Sequence, residues 1–137
     1  MAENGRVLVD SSIWIDFFRG THDAVKTLSA VIRDQRVVIC GQVLQEVLQG
    51  SRDVDAFEKI ERKMSIWEYE AEQAADFRLA ARSFAQLRWA GITVPPSDCL
   101  IAAVARRCRI PIYASDSHFN KIPQVTLFEE IHMNENR

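Results

Sequence analysis

The sequence predicts an α/β fold: a three-layer α/β/α sandwich with a central, mostly parallel sheet. Three observations lead there. Short β-branched runs alternate along the chain with longer segments of helical periodicity. The runs RVLVD and VVIC are apolar almost throughout, as strands buried on both faces are. Turn and cap residues separate the segments, with no repeat, linker or low-complexity stretch between them.

Each element follows in order. Arg6–Asp10 reads as the first strand. Ser11 or Ser12 can cap a short helix that Gly20 ends, and Thr21 opens a second helix with Val25, Leu28 and Ile32 on one face. Val37–Cys40 is the next strand, followed by a helix from Gly41 to Gly50. Asp53 opens another helix, with Val54, Phe57, Ile60 and Met64 at helical spacing. Ser65–Glu68 is expected as a weaker third strand. Ala71–Ala90 forms a long helix carrying Ala74, Phe77, Ala81, Phe84 and Leu87 on one side. Pro95–Pro96 blocks any helix before Ser97, which caps the helix Asp98–Cys108. Ile110–Ala114 and Val125–Phe128 are the last expected strands.

The 137 residues are expected to form one domain over 1–137, with its core at about 6–128 and a polar C-terminal tail. The hydrophobic share of 47% and charged share of 26% are those of ordinary soluble domains. No apolar run is long enough to span a bilayer, and MAENGR lacks the pattern of a signal peptide. Three cysteines without CxxC spacing argue against a disulfide framework or a zinc site. A cytoplasmic setting is therefore expected, with no membrane partner. The net charge of −2 argues mildly against a protein that coats nucleic acid, but leaves room for local basic residues around an acidic centre.

Four acids stand where such a centre would form. In open α/β sheets, sites lie beyond the carboxyl ends of the strands. Asp10 ends the first strand, and Asp116 follows the fourth. Asp98 lies in the first turn of its helix, where the dipole favours a carboxylate. Glu46 falls on the flank of an apolar stripe, near the core boundary. Each alone has an ordinary explanation as a cap, turn former or boundary residue. Together they would repel: at an effective dielectric of ~20, a like-charge pair ~4 Å apart costs on the order of 4 kcal/mol. A divalent cation resolves that repulsion, and all-oxygen ligands suit Mg²⁺ or Mn²⁺.

VLVDSSIWIDFFRG resembles the first motif of PIN domains, especially of VapC-type toxins. VICGQVLQEVLQG resembles the second motif, and VPPSDCLIAAVARRCRIPIYASDSHF the third and fourth. The resemblance runs over roughly residues 6 to 128. It implies that Asp10, Glu46, Asp98 and Asp116 are catalytic and metal-binding, with Ser12 at a polar position supporting the first aspartate. The first motif has Ser11 where the family often has threonine, which keeps the hydroxyl. The implied activity is metal-dependent endoribonuclease cleavage of RNA, leaving 5′-phosphate and 3′-hydroxyl ends, by the toxin of a toxin–antitoxin pair. The implied partners are the RNA substrate and an antitoxin protein.

Alternatives are a PIN-type RNA-processing nuclease outside a toxin system and a non-catalytic module binding Mg²⁺ or RNA. A receiver domain would need an aspartate ending its third strand and a lysine after its fifth. An Asp-x-Asp phosphatase fails because position 12 is serine. His118, two residues past Asp116, is a further candidate for phosphate or metal contact. Asp16 reads as a helix-surface residue. The apolar Ile13, Trp14, Phe17 and Phe18 exceed the needs of a short helix, so a homodimer or antitoxin contact is expected there. Arg78, Arg82 and Arg88 punctuate the long helix, and Arg106, Arg107 and Arg109 cluster near the end of another, without a residue-level sign of which meet phosphate.

Overall fold

The structure, a computed structural model, describes residues 5–115 and 117–128. The strands β1 (Arg6–Val9), β2 (Arg36–Cys40), β3 (Glu68–Glu70) and β4 (Ile112–Tyr113) form one sheet in the order β3-β2-β1-β4. Every pairing is parallel, with Leu8 opposite Val38 on one side and Ile112 on the other. Val7, Leu8 and Val9 are wholly buried, as the central strand of a covered parallel sheet must be. Six helices, among the described residues, flank this sheet: α1 (Ser11–Phe18), α2 (His22–Asp34), α3 (Gly41–Gln49), α4 (Val54–Met64), α5 (Ala74–Trp89) and α6 (Pro96–Cys108). The three-layer α/β architecture is thus the one the sequence predicts. No helix of the described residues is long and apolar enough to cross a membrane.

Several local expectations shift, each for a physical reason. The third strand begins at Glu68 rather than Ser65, because the Ser65 N–H still bonds to Glu61 and Arg62 carbonyls at the end of α4. From Glu68 onward the segment pairs with Val38, and the Glu68 carboxylate meets Arg6 and Arg36. β4 is two residues long rather than five. Ile110 closes the exit of α6 through its N–H to Ala105, and Pro111 has no N–H to give. The expected strand Val125–Phe128 contributes a single parallel bridge, Ile112 to Leu127, with the Ile112 N–H donating to Thr126.

Helix boundaries and faces move as well. Asp10, not either serine, caps α1. Thr21 precedes α2 without a side-chain cap bond, and Pro95 rather than Ser97 stands before α6, with Pro96 as its first residue. In α4, Val54 and Phe57 lie exposed while Met64 is buried. In α5 the buried face is Asp76, Ala80, Ser83 and Leu87, whereas Phe77 is 55% exposed. The predicted apolar stripe of α5 is therefore largely its outer edge.

The aromatic run of α1 belongs to the subunit's own core. Ile13 and Trp14 are buried, and Phe17 and Phe18 pack against the core. The Trp14 ring centroid lies 6.0 Å from Phe18 and 5.5 Å from Trp67. This packing accounts for the apolar excess that suggested an interface on α1.

Candidate active site

β1 ends at Val9, and the chain turns into α1 at Asp10. The Asp10 N–H donates to the Tyr113 carbonyl at 2.9 Å, which sets the first acid beside the end of β4. Its carboxylate is in the capping position: Oδ2 accepts from the Ser12 N–H at 3.2 Å and from the Ser12 hydroxyl at 2.7 Å. Only 3% of Asp10 is exposed, so this carboxylate is held in place rather than waving in solvent. The Ser12 Oγ in turn accepts the Ser115 N–H at 3.3 Å. One hydroxyl thus links the first acid to the residue that precedes Asp116 in the chain. Asp116 itself lies outside the described residues.

Glu46 lies on α3, half-buried as its helical phase predicts. The neighbouring Ser11 hydroxyl donates to Glu46 Oε1 at 3.0 Å. The adjacent serines therefore divide the work: Ser12 turns inward to Asp10, and Ser11 reaches across to Glu46. Asp98 is the third residue of α6, and its backbone N–H donates to the Pro95 carbonyl. It is 7% exposed, and its Oδ2 stands 3.2 Å from Nδ1 of His118, in the 3-10 helix Ser117–Lys121. His118, a secondary candidate in the sequence, is thus an immediate neighbour of a predicted ligand. Among the described residues, no three Asp, Glu, His or Cys groups stand close enough to hold an ion between them.

Sequence reasoning missed Glu72. α3 begins at Gly41 after Cys40, a residue that makes no side-chain cap. Glu72 supplies one from across the sheet, accepting the Gly41 N–H at 3.0 Å and the Gln42 N–H at 2.7 Å. A Cβ at Gly41 would lie 2.7 Å from Glu72 Oε1 and 2.8 Å from the Tyr69 hydroxyl, so glycine is needed for the approach. The signal available in sequence was a helix start with no Ser, Thr, Asp or Asn to cap it.

A cleft of about 620 Å³ lies at the opposite, amino end of β4, where Ile110 and Pro111 line it with Arg106 and Arg109. It is remote in topology from the carboxyl-end rim that carries Asp10. Closer to the acids, a groove of about 530 Å³ runs between α5 and the start of α6, bounded by Gln42 and Ser97.

Comparisons with known proteins agree with this arrangement. Residues 7–125 match the family model of the PIN domain. The chain is 32% identical over 125 residues to VapC ribonuclease Mb1587 of Mycobacterium bovis, an alignment covering 88% of this chain and 93% of that protein. The figures are the same for ribonuclease VapC11 of Mycobacterium tuberculosis. Among solved structures, DNA-bound VapBC from Salmonella typhimurium is similar in fold. Its TM-score is 0.74 at 18% identity, over 89% of this chain and 96% of that one.

Proposed function

This chain belongs to the VapC branch of the PIN-domain family, and from that premise we propose that it is an endoribonuclease, the toxin of a toxin–antitoxin module. Its reaction is hydrolysis of an RNA phosphodiester at the carboxyl-end rim of the sheet. The observation that carries this reading is the chain of contacts Asp10–Ser12–Ser115, which holds a buried carboxylate beside the loop that leads to Asp116.

The donors are hard oxygens, the set that suits Mg²⁺ or Mn²⁺ and does not suit zinc. Asp10, Glu46, Asp98 and Asp116 would hold the ion. When bound, such an ion supplies charge compensation for the phosphate and lowers the pKa of an attacking water. The chain's own residues prepare for this. Ser12 fixes the Asp10 carboxylate by a 2.7 Å hydrogen bond, and Ser11 orients Glu46. His118 supports Asp98. Such outer partners fix the direction and charge of ligand groups. None of these residues is required as a covalent nucleophile.

We further read residues 1–137 as one domain working in the cytoplasm with an antitoxin as its protein partner and a homodimer as its assembly. The test is RNA cleavage with Mg²⁺, with Mn²⁺ and with chelator, by wild type and by Asp10→Asn, Glu46→Gln, Asp98→Asn and Asp116→Asn. Cleavage is expected only with metal and only in wild type. An Asp98→Asn protein cutting at the wild-type rate would overturn its assignment. A short adjacent reading frame for a DNA-binding antitoxin would separate a toxin from an RNA-processing nuclease.

A further inference from the structure

α5 presents a second, outward stripe beside the face it buries. At about 100° per residue, Phe77, Ala81, Phe84 and Arg88 fall within an arc of about 60°. This stripe forms one wall of the 530 Å³ groove, and Gln42, Ser97 and Leu100 stand on the other walls. The groove is within the usual ~300–1,000 Å³ range of ligand pockets. Its ends adjoin the proposed centre: Ser97 precedes Asp98 in the chain, and Gln42 lies one helical turn before Glu46 on α3.

An exposed apolar stripe could meet a second copy of this chain, but the charges oppose that. α5 carries Arg78, Arg82 and Arg88, and its single acid, Asp76, is buried and bonded to Arg107. Self-association across α5 would bring arginines against arginines. In a chain of net charge −2, this helix is locally cationic, and its cations stand among exposed aromatic rings. The Arg88 guanidinium carbon lies 5.9 Å from the centre of the Phe84 ring. Phe77 is 55% exposed and Trp89 74% exposed. Aromatic faces interleaved with arginines are what unpaired nucleotides require: rings for stacking and guanidinium groups for phosphates.

The geometry points to this groove as the seat of single-stranded RNA flanking the scissile phosphate, with a base on Phe77 and Phe84 and a phosphate on Arg88. Gln42 and Ser97 offer an amide and a hydroxyl to the edge of that base. The inference deepens the nuclease reading and rests on it for the position of the cut. It gives α5 a role in choosing unpaired over duplex RNA, because a base stacked within a duplex has no free face to offer.

The experiment measures binding and cleavage separately. A fluorescently labelled single-stranded RNA of about twelve nucleotides, within the span of typical single-strand sites, is titrated in chelator with the full chain. The same strand annealed to its complement is the second probe. Phe77→Ala and Arg88→Gln are each expected to weaken single-strand binding about tenfold, the order expected for loss of one stacked base or one ionic contact. Arg33→Gln, an exposed arginine on α2, should change it by less than about twofold. In Mn²⁺ the two groove variants should raise KM with little change in kcat. Equal affinity of wild type and both variants overturns the proposal, as does equal affinity for strand and duplex. So does a Phe77→Ala protein that loses a dimer in sedimentation while keeping its RNA affinity, which assigns the face to a second copy. Groove-dependent binding by a wild type that cuts nothing leaves this proposal standing and removes the nuclease reading.

Discussion

The contact between Asp76 and Arg107 joins α5 to α6, and its removal should cost far more than that of a surface ion pair. Asp76 is 2% exposed. Its carboxylate accepts from Arg107 Nε at 3.0 and 3.1 Å and from the Gln73 N–H at 2.8 Å. Arg107 also donates to the Ala71 carbonyl at 3.0 Å. The hydrogen bond to Asp76 is the first cause holding the guanidinium pKa above its ordinary value, against the opposing effect of burial. Arg107→Met leaves a buried carboxylate with only the backbone amide to compensate it, a loss of about 3–5 kcal/mol. For a chain of this length that corresponds to a fall in Tm of roughly 10–20 °C. Asp76→Asn keeps the volume and one acceptor, and should cost about 2–3 kcal/mol. The double variant no longer buries a lone charge, so its loss should fall short of the sum by about 1.5–3 kcal/mol. Urea denaturation of the four proteins reads these values directly. Single losses below about 1 kcal/mol, the range of exposed pairs, or strict additivity would refute the reasoning.

Other outcomes follow from the site and its frame. Ser12→Ala should reduce cleavage about 10–100-fold and weaken Mn²⁺ affinity similarly while Asp10 still caps α1, as steady-state kinetics and metal titration can check. Asp10→Asn keeps a good capping residue and removes one crowded negative charge, so it should melt higher than wild type in chelator. Wild type alone should gain about 2.7 kcal/mol from Mn²⁺ at a hundredfold excess over its dissociation constant; equal gains in calorimetry would count against metal binding at Asp10. Gly41→Ala should destabilise by about 1–3 kcal/mol, because Glu72 or Tyr69 must move, and a denaturant midpoint unchanged from wild type would contradict this. Burial pushes the Cys40 thiol up from 9.0 to about 12. The folded chain therefore keeps a proton that the unfolded chain has released, and this contribution is full below pH 9 and lost as pH rises towards 12. It amounts to on the order of 4 kcal/mol, and Cys40→Val should flatten the alkaline loss relative to wild type.

The parts of the fold legible in sequence were those governed by local pattern. RVLV and VVIC could only be buried strands, and Asp10, Glu46 and Asp98 took their places from strand ends and helical phase. What stayed illegible depends on residues distant in the chain. The cap of α3 comes from Glu72, 31 residues away from Gly41, and no property of the segment at Gly41 names its partner. Arg107 looked like one of three similar arginines, and only the packing of α5 on α6 distinguishes it. The inward face of α5 was misread because Phe77 and Phe84 are more apolar than Ala80 and Ser83. A helix lying close to its neighbour needs small residues at the contact, whatever their hydrophobicity. Ile13 and Trp14 invited the opposite error, since their partner Trp67 arrives from the segment before β3.

The sheet order has a consequence for synthesis. β1, made first, stands between β2 and the last strand, β4. The bond between Ser115 and Ser12 closes a sequence separation of 103 residues. A nascent chain shorter than this carries Asp10, Glu46 and even Asp98 without the element that completes the rim. Chains released early by a stalled ribosome should then be harmless to the RNA around them, since parallel pairing of distant strands is a late event in folding. Translation arrested before and after residue 115, followed by an RNA-cleavage assay on the arrested complexes, would reveal whether the activity waits for the final strand.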